Sequence, residues 1–293
     1  MFNSSVLESI TDINLLTDML RAEFSLEDWE AMLHIADKLY TSIKGLYEEN
    51  QLRQAKGQQQ IDTKKLKRSI VFYFGYAMVM KGIALQKMGD YAAARDCIEK
   101  YTELGWIYGL DKEGQADVAH FRMLARANTY VLDLLEGKMD TLPEYVQFIH
   151  LSEEEELLPG IITILEAAIK YDYNVDWALK EFESQLNALD GEYETEANIR
   201  YYIDHLYLMS LYYLKNGKYS NALNIALNGL QMSDRLKDDT GYKKLNALFV
   251  SFSVHTTKEL LNEYNVLNET ILERVLKDEK GIMYDGSSFV SAR

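Results

Sequence analysis

Apolar residues recur at helical spacing along most of the chain, in runs separated by short polar segments. After Ser25, which precedes an acidic pair, they stand three or four residues apart: Trp29, Leu33, Ala36, Tyr40, Ile43 and Tyr47. This spacing predicts one face of a helix that Ser25 would cap. The polar segment 51–62 has no such period and predicts a loop. A second long helix is predicted from about Lys64 to Met88.

The residues that follow carry the signals of a helical hairpin. Gly89 suits the left-handed conformation that often ends a helix, and Asp90 suits the cap of the next one. Small and aromatic residues stand at fixed offsets around this turn: Gly82, Leu85, Gly89, Tyr91, Ala94 and Ile98. These offsets resemble those of a tetratricopeptide repeat, which is a pair of packed helices.

The same layout recurs further along the chain. Residues 208–230 repeat it with Ser210, Tyr213, Gly217, Tyr219, Ala222 and Ala226. Two weaker copies have their turns at Gly137 and Tyr173. The turns are further apart than the roughly 34 residues of a strict repeat, so longer loops or helices are expected. We therefore predict an all-α fold, in which tetratricopeptide-like helical hairpins stack into a right-handed superhelix.

Local signals also predict helix starts in the second half of the chain. Thr141 and Pro143 form one such start, and Ser152 with the acidic run 153–156 forms another. A terminal helix is predicted to end near Gly281. The chain is therefore divided into three predicted parts: an N-terminal tail or linker (1–24), a helical-repeat domain (25–281) and a mobile C-terminal tail (282–293).

The composition favours a helical protein of a reducing compartment. Only two of the 293 residues are proline, which suits long helices. The net charge of −15 disfavours nucleic acid as a partner. The basic cluster 64–68 is interpreted as a solvated first helical turn or a linker rather than a nucleic-acid contact. Cys97 is the only cysteine and is expected in the core. No signal peptide or membrane span is expected, so we predict a cytoplasmic location.

No pattern in the sequence indicates catalysis. The five histidines form no HExxH pair and have no cysteine partner nearby, so no metal site is predicted. Phosphate-binding glycine loops and the GxSxG motif are also missing from the sequence. We therefore expect neither an enzyme nor a cofactor.

A curved array of hairpins would leave residues of the first helices available on its concave face. Amide side chains can satisfy a peptide backbone, Arg or Lys can bind a terminal carboxylate, and Tyr adds apolar area. The alternative for each residue is packing within the fold or pairing with a surface acid. The candidate peptide-binding residues are Tyr76, Gln86, Lys87, Arg122, Arg126, Asn128, Tyr130, Asp204 and Tyr207, with Val79, Ile83, Leu211 and Lys215 on the same predicted faces.

The repeat residues, together with segments 77–101 and 165–179, resemble the C-terminal regulatory domains of Bacillus-type transcriptional regulators. The plan is similar to that of the RNPP family of peptide-pheromone receptors. The resemblance implies a short peptide ligand, quorum sensing, and an asparagine contact for which Asn128 is the matching position. No DNA-binding helix-turn-helix is found. The chain is therefore either a fragment that lacks that half, or a relative that acts on proteins alone.

Two hypotheses follow for the function. In the first, a short peptide binds the concave face of a homo-oligomeric sensor domain, shifts its curvature or dimer contacts, and so controls transcription. In the second, the array is a protein–protein scaffold without a peptide ligand. Neither hypothesis assigns this chain a direct contact with nucleic acid or a membrane.

Overall fold

The regular structure is helical throughout the described part of the chain. The computed structural model describes residues 4–59, 61, 63, 65–189, 193 and 195–278, and within these residues it contains 14 α-helices, three short 3-10 helices and no strand. The all-α class is therefore confirmed. The chain divides into two compact units, residues 1–202 and 203–293.

Unit 1 holds the first ten helices and the start of an eleventh. They are α1 (Ser4–Ser9), α2 (Ile13–Leu26), α3 (Trp29–Ala55), α4 (Ile70–Lys87), α5 (Tyr91–Thr102), α6 (Lys112–Leu135), α7 (Leu142–Leu151), α8 (Leu157–Tyr171), α9 (Asp176–Glu181), α10 (Glu183–Asn187) and α11 (Glu196–Lys215). Short 3-10 helices lie at Met139–Thr141 and Glu154–Glu156. From α2 to α6 each helix packs against the next, and α6 also packs against α7 and α8.

Helix α2 belongs to the core of unit 1, which corrects the expectation of a tail over residues 1–24. Asp12 caps this helix, because its carboxylate accepts hydrogen bonds from the amides of Asn14 and Leu15. Leu16 and Leu20 are fully buried in the same apolar cluster as Leu39 of α3. The burial of this apolar face makes α2 part of the folded unit.

Three predicted helix boundaries are wrong by several residues. Ser25 lies inside α2, and the cap of α3 is Asp28, whose carboxylate accepts from the amide of Ala31. The predicted loop 51–62 starts too early, because α3 continues to Ala55. Helix α4 begins at Ile70 rather than near Lys64, since Ser69 provides its cap.

The predicted hairpin at Gly89 is confirmed. Gly89 has φ +83°, and the Asp90 amide donates to the carbonyl of Leu85 at 2.9 Å, which closes the end of α4. The Asp90 carboxylate then caps α5. At Gly82 the two helices lie close together, because an added Cβ would stand 3.4 Å from Cβ of the buried Cys97. A larger side chain there would push α4 and α5 apart.

The same turn geometry recurs at two other predicted positions. Gly137 and Gly217 have φ +90° and +71°. The amide of the residue after each glycine donates to a carbonyl five residues earlier, as it does after Gly89. At the fourth predicted turn the left-handed residue is Asp172, with φ 57°, rather than Tyr173.

Of the helix starts predicted at Thr141 and Ser152, the first is confirmed and the second is wrong. Helix α7 begins at Leu142 with proline in its first turn, as expected. Ser152 ends α7 instead of starting the next helix, and α8 begins at Leu157 after the 3-10 turn. The predicted end of the terminal helix near Gly281 and the tail 282–293 lie outside the described residues.

Unit 2 contains the rest of α11, then α12 (Tyr219–Leu236), α13 (Asp239–Ser251), a 3-10 turn at Ser253–His255 and α14 (Lys258–Asp278). Helices α12 and α13 pack closely, because an added Cβ at Gly229 would lie 2.7 Å from Leu245 Cδ1. Ser210 is fully buried and donates to the carbonyl of Leu206 at 2.9 Å. A small residue at position 210 thus occupies the interior of this unit.

The hydroxyl of the buried Tyr73 helps to hold the segment before α4 in place, together with the side chain of Asn14. The Tyr73 hydroxyl donates to Asn14 Oδ1 at 2.5 Å and accepts from the amides of Lys67 and Arg68 at 3.0 and 3.3 Å. Tyr73 is only 1% exposed, so water cannot replace these bonds readily. This hydroxyl therefore connects α2, the segment 65–69 and α4.

Replacing Tyr73 by phenylalanine is expected to lower the free energy of unfolding by about 1–3 kcal/mol, because the Arg68 amide loses its acceptor and Asn14 Oδ1 loses a donor beside a buried ring. Urea denaturation followed by circular dichroism measures this change. The control is Tyr40→Phe, since the Tyr40 ring packs edge-on against Phe74 but its hydroxyl makes no hydrogen bond to any described residue. Equal effects of the two substitutions would show that the hydroxyl of Tyr73 contributes nothing.

Candidate functional site

A cavity of about 700 Å³ opens within unit 1. Its walls come from α2, α4 and α6, and Thr195, Ala197 and Tyr201 line it together with Glu156 and Pro159 at the start of α8. Most of the side chains that line it are apolar or aromatic. A concave, mostly apolar cavity of this size is typical of a site for a small ligand.

The helical periods of α4 and α6 produce two of the walls. On α4 the residues that line the cavity follow one face of the helix: Phe72, Tyr76, Val79, Met80 and Ile83. On α6 the corresponding residues are His120, Phe121, Leu124 and Asn128. Other faces of α4 carry Phe74 and Ala77 into the core. Each of these helices therefore packs into the core with one face and lines the cavity with another.

Several aromatic rings line the cavity, and the guanidinium of Arg21 lies near one of them. Phe72 and Tyr76 are stacked with 5.3 Å between ring centres, and Phe24 meets Tyr201 edge-on at 5.7 Å. The guanidinium of Arg21 lies 5.9 Å from the centre of the Tyr76 ring. Burial raises the pKa of the Tyr76 hydroxyl, and Arg21 opposes that shift. The hydroxyl therefore stays protonated at neutral pH and can donate a hydrogen bond.

Asn128 presents an amide carbonyl at the wall of the cavity. Its Nδ2 donates to the hydroxyl of Tyr101 at 2.8 Å, and Tyr101 is 1% exposed. Burial raises the pKa of Tyr101, so this hydroxyl remains an acceptor with its own proton. Within the described residues the carbonyl oxygen of Asn128 has no hydrogen-bond partner. It can therefore accept a hydrogen bond from a ligand.

The carboxyl group of Glu156 also lines the cavity. Glu156 is the residue before α8 and is half-buried, unlike the exposed residues 153–155. Burial, followed by the neighbouring Glu155 and Glu153, raises the pKa of this carboxyl. The carboxyl group of Glu156 is thus an acidic group in a cavity whose other lining residues are mostly apolar.

Two of the nine predicted contact residues, Tyr76 and Asn128, line this cavity, together with Val79 and Ile83. Gln86 lies nearby, in a small crevice between α4, α5 and α6 that Asn128 also borders. Lys87 instead forms an ion pair with Glu166 of α8. The sequence pattern therefore located part of the wall.

The predicted residues of α6 lie in three different places. Arg126 lies 5.5 Å from the ring centre of Phe148, and Tyr130 packs 5.7 Å from the ring of Tyr145. They border a second, more polar depression of about 680 Å³. Arg122 pairs with Glu103 at 2.6 Å, and its guanidinium lowers the pKa of that carboxyl. Residues 126 and 130 are one turn apart, while residue 128 falls on another face.

The last two predicted residues lie in unit 2. A carboxylate oxygen of Asp204 is 3.5 Å from Nζ of Lys244. The same ammonium lies 5.7 Å from the ring centre of Tyr207. These contacts match the packing alternative that the sequence left open for each residue. Within unit 1, the seven other predicted residues do not share one surface.

The structure adds wall residues that sequence reasoning missed, among them Arg21, Phe24, Glu156 and Tyr201. Arg21 and Phe24 fall within the predicted tail 1–24, although the spacing of Ile13, Leu16, Leu20 and Phe24 indicates a helix. Glu156 carries no distinguishing signal within its acidic run. Tyr201 comes from a region far away in sequence.

The fold and the cavity define an all-helical protein of hairpin-like elements with an apolar ligand-sized site. No protein-family model, curated protein or solved structure matches the chain. Of the helices in the described part, none combines the length and the low polarity needed to cross a bilayer. Over the same residues, no three His, Cys, Asp or Glu side chains converge in a way that could hold a metal ion.

Proposed function

We propose that this chain is the ligand-sensing part of a bacterial regulator and binds a short peptide in the cavity between α2, α4 and α6. The observation that carries the proposal is the cavity itself, with about 700 Å³ of space and walls that are mostly apolar or aromatic. Such walls suit apolar side chains of a ligand. The cavity also offers polar groups that a purely apolar ligand would leave unsatisfied.

A peptide matches these polar groups better than a hydrocarbon does. An extended peptide exposes an amide hydrogen at nearly every residue, and the carbonyl of Asn128 is an acceptor for one of them. The hydroxyl of Tyr76 can donate to a peptide carbonyl. Apolar side chains of the same peptide would then cover the rings of Phe24 and Phe72.

The regulatory part of the proposal rests on the repeated hairpins and on the resemblance of the sequence to peptide-responsive transcriptional regulators. The turn after Gly89 recurs after Gly137 and Gly217, which supports a tetratricopeptide-like array. A peptide that contacts three helices at once would favour one arrangement of those helices over others. In this proposal the chain acts in the cytoplasm, where that shift is transmitted to a transcriptional output.

A pool of random pentapeptides with unmodified termini tests the proposal. We expect affinity selection followed by mass spectrometry to recover a subset enriched in apolar residues. Recovered peptides, once synthesised, should raise the melting temperature as their concentration exceeds Kd, because they bind the folded state only. A pool in which no sequence is retained and none stabilises the protein would count against peptide binding.

A protein–protein scaffold is the second candidate, and helix α14 of unit 2 supplies the observation that favours it. Leu261, Val266, Leu272 and Val275 are between 39% and 52% exposed. Exposed aliphatic residues grouped on one helix are typical of a contact with another protein. The scaffold predicts that the peptide pool leaves the melting temperature unchanged.

A further inference from the structure

The carboxylate of Glu156 lines the cavity and has no ion-pair or hydrogen-bond partner among the described residues. Its side chain makes no capping hydrogen bond to α8, although it occupies the cap position. The three preceding glutamates are exposed, so only this member of the run is half-buried against the apolar wall.

The surroundings of this carboxylate leave its charge uncompensated. The charged groups that act on it are Glu155 and Glu153, and both oppose its ionisation. The charge of Glu156 also acts on the buried Tyr145, whose hydroxyl is bonded to Thr163 and whose pKa is raised mainly by burial. The start of α8 favours an anion, which keeps the group ionisable. A half-buried anion of this kind is costly unless a cation pairs with it.

The other charged residues of the cavity do not supply that cation. Arg21 pairs with Asp18 at 3.0 Å and lies over the ring of Tyr76. His120 is exposed, and its ring meets Phe121 edge-on. Within the lining the unpaired charge is therefore negative, and it lies beside apolar and aromatic walls.

From this charge complementarity we infer that the ligand carries a protonated amine, which pairs with Glu156, attached to an apolar body that fills the cavity. The inference rests on the proposed function and specifies its chemistry: the peptide's N-terminal ammonium binds at the start of α8. An ammonium donates up to three hydrogen bonds, and charge-assisted bonds to a carboxylate are stronger than neutral ones. The apolar side chains would then extend along α4 and α6.

The experiment compares the random pentapeptide pool with the same pool acetylated at the N-terminus. We expect acetylation to weaken retention about tenfold, because it removes the cation while leaving the side chains in place. Glu156→Gln should weaken binding of unmodified peptides by a similar factor and leave acetylated peptides unaffected. The matched control is Glu154→Gln, an exposed member of the same acidic run that does not line the cavity.

A second readout needs no ligand. Because burial raises the pKa of Glu156, the folded state prefers the protonated carboxyl, and stability falls as pH rises through that pKa. Glu156→Gln should therefore raise the melting temperature at neutral pH and change it little below the usual carboxyl range. Glu154→Gln should show no such pH-dependent gain.

The outcomes separate this inference from the proposed function. Equal retention of both pools, unchanged by Glu156→Gln, would refute the ammonium contact and leave peptide binding intact. Retention of neither pool would overturn the proposed function and the inference with it. Stronger retention of the acetylated pool would show that Glu156 repels or ignores the peptide terminus, which also refutes the inference.

Discussion

Replacing Leu16 by alanine is expected to lower the free energy of unfolding by about 2–5 kcal/mol. Leu16 is fully buried, in the same cluster as residues of α3 and α4. Its removal loses apolar burial and leaves a cavity that neighbouring helices cannot fill completely. Urea denaturation followed by circular dichroism measures the change.

The adjacent residue provides a matched control on the same helix. Leu15 is 47% exposed, so Leu15→Ala removes the same atoms from a position that is about half in contact with solvent. Its effect should stay within about 0.5 kcal/mol. Similar small effects at both positions would mean that α2 is not part of the folded core, and the cavity that α2 borders would then lose one wall.

Introducing tryptophan at both Val79 and Leu124 is expected to weaken peptide binding about a hundredfold, or about 2.7 kcal/mol. The two residues line the cavity from α4 and α6, and both are half-buried. The larger rings would occupy space that a peptide needs. Isothermal titration with a peptide recovered from the pentapeptide pool measures the loss.

The control variant places tryptophan on the same two helices outside the cavity. Met88 follows α4 and Thr129 lies on α6, and both are exposed and absent from the lining. Met88→Trp with Thr129→Trp should bind the peptide as the original chain does. Circular dichroism should show both double variants folded. Unaltered affinity in the cavity variant would place the peptide somewhere else on the protein.

Local signals predicted most of the helices and the main turns of this protein. Gly89 ends α4 in the left-handed conformation and Asp90 caps α5, as their residue types indicated. These features depend on hydrogen bonds within a few residues, which the sequence displays directly. Helix α2 was missed although Asp12 and the spacing of its apolar residues carried the same kind of signal.

The candidate site was predicted only in part because its walls are distant in sequence. Tyr76 and Asn128 were found from their places on amphipathic helices, whereas Phe24 and Tyr201 meet only after folding. Sequence spacing showed that Arg126 and Asn128 lie on the same helix. It did not show which face of that helix would border the cavity.

The sequence by itself determined the helical class and the hairpin turns. Periodicity, capping and left-handed glycine turns are set by interactions between near neighbours in the chain. Only the tertiary structure decided that Glu156, out of an acidic run, stands half-buried beside aromatic rings. Whether a charged side chain is buried or paired depends on residues that packing brings together from distant parts of the chain. The spacing of residues along the sequence does not show which residues these are.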